Sequence, residues 1–284
     1  MVKSYIAKTL SEALEILSLD SCQIVAGGTD MMIQNRSHKG LPVGYKNDVV
    51  YVNLINELSF IREDESWIHI GATTRLEDIL NHDLTPIILK KIIHEMASPA
   101  IRHTATLAGN IANASPAGDS LVGLYALDAV IKVESLNHSR MVPINDFILG
   151  VRKIDLMPNE MITAVMIPKK DFQGVFFKKV APRLSDAISK ISIVGLKTFE
   201  HGKLLDIRIA LGAVYKTVVR LPAIEKKMIG LSHQDLVNQI DSIVEEYNRV
   251  IQPIDDQRSN KTYRRMVSLN LIREFIIGEA GDSL

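Results

Sequence analysis

Two stretches of small and polar residues have the make-up needed to hold a phosphorylated ligand at close range. The first, Ala26-Gly27-Gly28-Thr29-Asp30-Met31, follows an apolar run. The second, well downstream, is Thr106-Leu107-Ala108-Gly109-Asn110-Ile111-Ala112-Asn113-Ala114-Ser115-Pro116-Ala117-Gly118-Asp119. Both read as loops in which glycine leaves main-chain N–H groups open to phosphate oxygens without a Cβ in the way. Thr29 and Asp30 can bond the first loop's own backbone. In the second, Gly109 permits close approach, Asn110 can donate and accept through one amide, and Thr106 and Ser115 add hydroxyls. Taken alone, Gly27-Gly28 is most often just a tight turn. Asp119 directly precedes an apolar run, so it reads as a helix cap, a role compatible with ligand contact.

The remaining chemistry-bearing patterns are missing. No G-x-G-x-x-G follows a strand pattern and no G-x-x-x-x-G-K-[ST] occurs, nor do H-E-x-x-H, C-x-x-C or G-x-S-x-G. Dinucleotide folds of the Rossmann type, P-loop chemistry, zinc hydrolysis and dithiol exchange therefore lack sequence support. A single cysteine, Cys22, excludes an internal disulfide and cannot ligate an iron–sulfur cluster by itself, so any electrons passing through the chain need an organic carrier. Lys plus Arg and Asp plus Glu each number 33, so no net field favours nucleic acid or anionic lipid. The basic run Lys261, Arg264, Arg265 reads as a solvated helix face. The N-terminal residues resemble no signal peptide and no segment reaches the ~20 apolar residues of a membrane span, which makes a cytoplasmic location the expectation.

The elements that must position the two runs follow from periodicity and caps. Thr9 opens a helix through Leu17, and Gln23 to Ala26 reads as a buried strand ending in Gly-Gly. Strands are expected over 49–53 and 67–71, a helix from Thr74 through Asp78, and another over 87–96 opened by Thr85-Pro86, a hydroxyl cap with proline in the first turn. Residues 121–127 read as a helix, and 129–134 and 160–167 as strands. Charged residues at Pro168-Lys169-Lys170-Asp171 mark a boundary between domains 1–170 and 171–284. Beyond it come strands over 172–180, 191–200 and 204–215 and helices over 235–250 and 264–277. The class is α+β.

Around the second run the chain reads Ser98-Pro99-Ala100-Ile101-Arg102-His103-Thr104-Ala105-Thr106-Leu107-Ala108-Gly109-Asn110-Ile111 and continues through Ser115-Pro116-Ala117-Gly118-Asp119. This resembles the IRN-x-x-T-x-GGN-I-x-x-x-SP-x-x-D signature of the FAD-binding subunits of molybdenum hydroxylases, the group containing xanthine dehydrogenase and carbon monoxide dehydrogenase. Lys179-Val180-Ala181-Pro182-Arg183 through Ala187-Ile188-Ser189-Lys190 is similar to that family's K-V-x-x-R-x-x-x-A-I-S-K stretch and points to the xanthine dehydrogenase branch. The resemblance covers the whole chain. It implies a two-part FAD-binding fold of the vanillyl-alcohol oxidase (PCMH) type, followed by a smaller C-terminal α+β domain of sheet plus helices. It also implies that Ala26, Gly27, Gly28, Thr29, Asp30 and Met31 contact FAD. From the second run it carries over Thr106, Leu107, Ala108, Gly109, Asn110, Ile111, Ser115 and Asp119. Met96, Leu156, Lys179 and Ile188 are placed at the flavin, although Met96 is equally a core filler and a lysine in a strand, such as Lys179, is more commonly exposed at the surface. No catalytic residue and no metal ligand is assigned.

The implied activity is electron transfer. An iron–sulfur (2Fe-2S) subunit delivers electrons, a molybdopterin subunit oxidises a purine such as xanthine or hypoxanthine, and NAD+ accepts. Two departures stand out: Ala108 replaces a common second glycine, which is tolerated only if its backbone is not left-handed, and His103 replaces a frequent asparagine as a hydrogen-bonding group. A stand-alone FAD-dependent oxidase of the same fold and a non-catalytic nucleotide-binding assembly subunit remain as alternative readings.

Overall fold

The computed structural model describes residues 2–37, 44–183 and 186–278. They form two compact units that interleave along the chain: residues 1–85, 97–114 and 128–169 in the first, and 86–96, 115–127 and 170–284 in the second.

Among the described residues the first unit contains two main sheets and a two-stranded pairing of Ile148–Gly150 with Lys153–Ile154. In the smaller, all parallel, Val49–Tyr51 lies between Ser4–Ile6 and Gln23–Val25. The helix Leu10–Leu19 connects the outer two strands. Its start is written in a capping box, with the Thr9 hydroxyl accepting from the Glu12 N–H while the Glu12 carboxylate accepts from the Thr9 N–H. Ala13, Leu14 and Leu17 form its buried stripe. Gln23–Val25 then delivers the chain into Ala26-Gly27-Gly28 at the carboxyl edge of this sheet, where α/β folds commonly place ligands.

The larger sheet is antiparallel, ordered Ile61–Glu63, Trp67–Gly71, Met161–Pro168, Val130–Ser135, His138–Pro143. Its central strand is buried along nearly its whole length, in keeping with an apolar run interrupted only by Thr163. The edge strand His138–Pro143 is largely exposed and polar and has no such signature. Arg140 fastens it, donating to Asp155 at 2.5 Å and to both oxygens of Glu160 at 2.7 and 2.8 Å. Those bonds hold the Glu160 carboxyl below the usual carboxylate range.

In the second unit a four-stranded antiparallel sheet runs Gly174–Val180, Ile191–Glu200, Lys203–Gly212, Val219–Arg220. Ser192 and Gly195, three residues apart on one strand, face opposite sides. Gly195 abuts the Phe275 ring of the helix Lys261–Ile277, while Gly212, paired with Ser192, abuts Val122 of the helix Asp119–Ala126. Helices thus cover both faces, and Ile191 to Leu196 is buried throughout. Ile87–His94 packs against Asp119–Ala126, and His233–Val250 against Lys261–Ile277.

Several expectations need correction. The helix expected from Thr74 starts at Leu76, because the Thr74 hydroxyl donates instead to the Phe60 carbonyl at 3.0 Å. Pro86, not Thr85, is the N-cap residue of Ile87–His94, and the Thr85 hydroxyl is buried without a partner among the described residues. Arg264 is no solvated charge: it is 4% exposed, and its guanidinium donates to the Ala213 carbonyl at 3.1 Å and to Asp256 at 2.7 Å. Sequence periodicity cannot separate a surface cation from one that ties loops together inside a fold. Among the described residues, no helix is long and apolar enough to cross a membrane.

Candidate functional site

The first unit brings its two quoted runs together, and the reason is visible at the two glycines. A Cβ on Gly27 would stand 2.1 Å from the Thr104 carbonyl oxygen, so the main chain of the first loop lies directly against the Thr104-Ala105 segment that leads into the second run. Gly28 has φ +67°, a left-handed conformation that a Cβ disfavours. Gly27 answers a close approach and Gly28 a turn. Past the turn, the Met32 N–H bonds the Gly28 carbonyl at 2.9 Å and starts the short helix Met31–Gln34.

Among the described residues, none accepts a hydrogen bond from the main-chain N–H groups of Ala26, Gly27, Gly28, Thr29, Asp30 and Met31. Six successive donors without a protein acceptor are available to an anion, which a self-satisfied turn would not leave. Three polar side chains steady this loop. Asn113 donates through Nδ2 to the Asp30 carboxylate, and its Oδ1 accepts from Gln34 Nε2 and Arg152 Nη1, each at 3.1 Å. Asn113 stands within the quoted run. Nothing in the sequence ties Arg152 or Gln34 to it, since the pairing exists only once the fold closes.

The second run is helical over Leu107–Asn113 and again from Asp119, with a turn at Ser115 to Gly118 between, which corrects its reading as one loop. Pro99–Arg102 is capped by the Ser98 hydroxyl, and Leu107–Asn113 by the Thr106 hydroxyl, which accepts from the Gly109 N–H at 3.0 Å. Gly109 therefore spends its N–H inside the cap. Leu107, Ala108 and Ile111 are buried on the helix's inner face, Asn110 is half-buried and Gly109 exposed. Ala108 is absent from the positive-φ positions, so the condition for tolerating its methyl group holds. Arg102 is buried and donates to Glu77 at 2.8 Å, which holds the Glu77 carboxyl below its ordinary range. His103 closes the short helix at an exposed position. Leu156, also in this unit, is half-buried.

The second unit holds the other expected residues. Asp119 does not cap its helix: Gly118 is the N-cap residue, and the Asp119 carboxylate turns inward to Lys179 at 2.9 Å and to the Ser189 hydroxyl at 2.6 Å. Lys179 is likewise not a surface lysine. Its side chain is 3% exposed against 6% for Asp119, and its ammonium also donates to the Glu95 carbonyl at 2.7 Å. Burial pushes the Glu95 carboxyl up from the ordinary carboxylate range. Ser189 was quoted within the Lys179 to Lys190 stretch without a role; within that stretch Leu184 and Ser185 lie outside the described residues. Met96 is buried and Ile188 is 59% exposed. Ser115 builds a turn, accepting from the Ala117 N–H through its hydroxyl and from the Gly118 N–H through its carbonyl.

The group that the resemblance implies, FAD, fits the first unit on one direct observation: the run of open N–H donors at Ala26 to Met31, which matches the oxygens of a diphosphate.

Comparisons with known proteins identify the family. Residues 1–170 match the family described as FAD binding domain in molybdopterin dehydrogenase, and residues 176–278 the CO dehydrogenase flavoprotein C-terminal domain. The chain is 32% identical over 270 residues, 93% of each protein, to the glyceraldehyde dehydrogenase medium chain of Sulfolobus acidocaldarius. It is 27% identical over 282 residues to the xanthine dehydrogenase FAD-binding subunit of Escherichia coli O157:H7, covering 96% of this chain and 94% of that one. Among solved structures, reconstituted CO dehydrogenase from Oligotropha carboxidovorans shares the fold, with a TM-score of 0.87 at 22% identity over 97% of this chain and 96% of that one.

Proposed function

The chain belongs to the FAD-binding subunits of the molybdenum hydroxylase family, and we propose that in the cytoplasm it carries electrons from a 2Fe-2S partner subunit to NAD+ while a molybdopterin subunit hydroxylates a purine such as xanthine or hypoxanthine. The open N–H run at Ala26 to Met31 is the observation that carries the reading. Residues 1–170 form the FAD-binding domain in this reading and 171–284 the C-terminal domain. FAD, when bound, accepts electrons singly and releases a pair as hydride. Around it, Ala26 to Met31 hold the diphosphate through main-chain donors. The resemblance assigns further cofactor contacts within each unit, Thr106 to Ile111 and Leu156 in the first and Met96, Ser115, Asp119, Lys179 and Ile188 in the second. The single cysteine leaves the cluster to a partner.

The purine assignment is supported by the likeness of Lys179 to Lys190 to the xanthine dehydrogenase branch. A second reading, a small aldehyde such as glyceraldehyde, is favoured by the 32% identity to the glyceraldehyde dehydrogenase medium chain. The test begins with an absorption spectrum of the purified chain, followed by anaerobic NADH and identification of the cofactor released on denaturation. Flavin bands that bleach with NADH and yield FAD are expected. A colourless protein that takes up no FAD, even when co-expressed with its partners, overturns the reading. Flavin in the assembled complex that is reduced by glyceraldehyde and not by hypoxanthine selects the aldehyde. Bleaching of the isolated chain by an alcohol or sugar selects a stand-alone oxidase.

A further inference from the structure

The turn between the short strands Ile148–Gly150 and Lys153–Ile154 carries Arg152, with its main chain in the left-handed region at φ 54°. Its N–H donates to the carbonyl of Ala114 at 3.0 Å, and Ala114 is itself left-handed at φ 44°. Two adjacent non-glycine residues in that region mark a pairing over-determined by its surroundings. Its product is the placement of the guanidinium on Asn113. With Oδ1 occupied by Arg152 Nη1 and Gln34 Nε2, the Asn113 amide can only point Nδ2 outward as a donor, and it donates to Asp30. Asp30 is a carboxylate inside the run of donors proposed to meet a diphosphate, where an uncompensated like charge opposes binding.

We propose that Arg152 is a positioning residue for the cofactor's diphosphate: through Asn113 it orients Asp30 and balances its charge, so that the N–H groups of Ala26 to Met31 face the anion without a competing carboxylate. This rests on the FAD reading above. All of the residues belong to the first unit. Arg152 and Asp30 are exposed, so the effect is screened by salt.

Affinity of the purified full chain for FAD and for ADP, measured by titration calorimetry, tests it. Arg152→Met lowers both affinities about three- to fivefold, the loss expected for a bond from an exposed charge. Arg152→Lys, which keeps the charge, stays close to wild type. Adding Asp30→Asn to Arg152→Met restores most of the lost affinity, because the like charge is gone. A turn that acts only as a scaffold gives the opposite result, since Asp30→Asn then removes a further loop contact and restores nothing. Unchanged affinity in Arg152→Met, or no recovery in the double variant, overturns the proposal while leaving the FAD reading intact. A wild-type chain that binds neither FAD nor ADP overturns the FAD reading and this proposal with it. Thermal unfolding of each variant separates lost affinity from lost folding.

Discussion

In the first unit the loop Ala26 to Met31 is steadied by Asn113, Gln34 and Arg152, side chains that stand exposed or half-buried and share single hydrogen bonds. In the second unit Lys179 and Asp119 form a nearly dry ion pair, completed by the Ser189 hydroxyl and the Glu95 carbonyl. The energetics of the two regions differ accordingly. Each exposed bond is worth little, and the loop's conformation is set mainly by main-chain packing at Gly27 and the turn at Gly28. The buried pair gains little net stability from its attraction, because desolvation offsets it, yet leaving either partner alone is costly. A backbone surface can keep donors open for a ligand, whereas buried charges must satisfy each other.

The largest effect should come from half-breaking the pair. Lys179→Met leaves Asp119 buried beside a lone hydroxyl and is expected to lower stability by about 3–5 kcal/mol, read as a shift in the urea midpoint. The double change Lys179→Met with Asp119→Leu should recover most of that loss, and a failure to recover would show that the pair is embedded in a wider network. Gly27→Ala comes next. Its methyl group must displace the main chain at Thr104, so a loss of about 2 kcal/mol is expected, with weakened FAD retention. A wild-type midpoint in that variant would break the account of the loop.

The carboxyls sharpen the contrast by pH. Glu160 and Glu77 are held low by Arg140 and Arg102, so their contribution is full above the unfolded value of about 4.3 and is lost as pH falls through their lower folded values. Arg140→Met should cost about 1 kcal/mol at neutral pH, with the deficit shrinking toward pH 3 in urea melts. Glu95 behaves oppositely. Its folded value is raised by burial, so stability is lost as pH rises through that value, and Glu95→Gln should give a small gain above pH 5, the smallest effect of the four. A variant that is no more stable than wild type there would remove burial as the cause.

Much of the fold was legible because periodicity survives in long or doubly covered elements. The strands Met161–Pro168 and Ile191–Glu200 and the helix His233–Val250 lie close to their expected places. Ser4–Ile6 and Ile61–Glu63 lack the apolar run that marks the equally short Gln23–Val25 and Val49–Tyr51, and the polar edge strand His138–Pro143 lacks the apolar alternation. Around the site, composition located both runs but misread the second as a loop. Its caps at Ser98 and Thr106 are conventional, and the expectation of glycine-loop chemistry overrode them.

The sequence by itself determined the residue types at the two runs, the absence of competing nucleotide motifs, the single cysteine and the family resemblance, since all of these are properties of order along the chain. Only the tertiary structure decided that Lys179 is dry and paired with Asp119, that Arg264 is buried, and that Asn113 links Asp30 to Arg152. Burial and charge partnership depend on residues distant in sequence, and a hydrogen bond between Asp30 and Asn113 exists only when the packing against Gly27 has brought their backbones together.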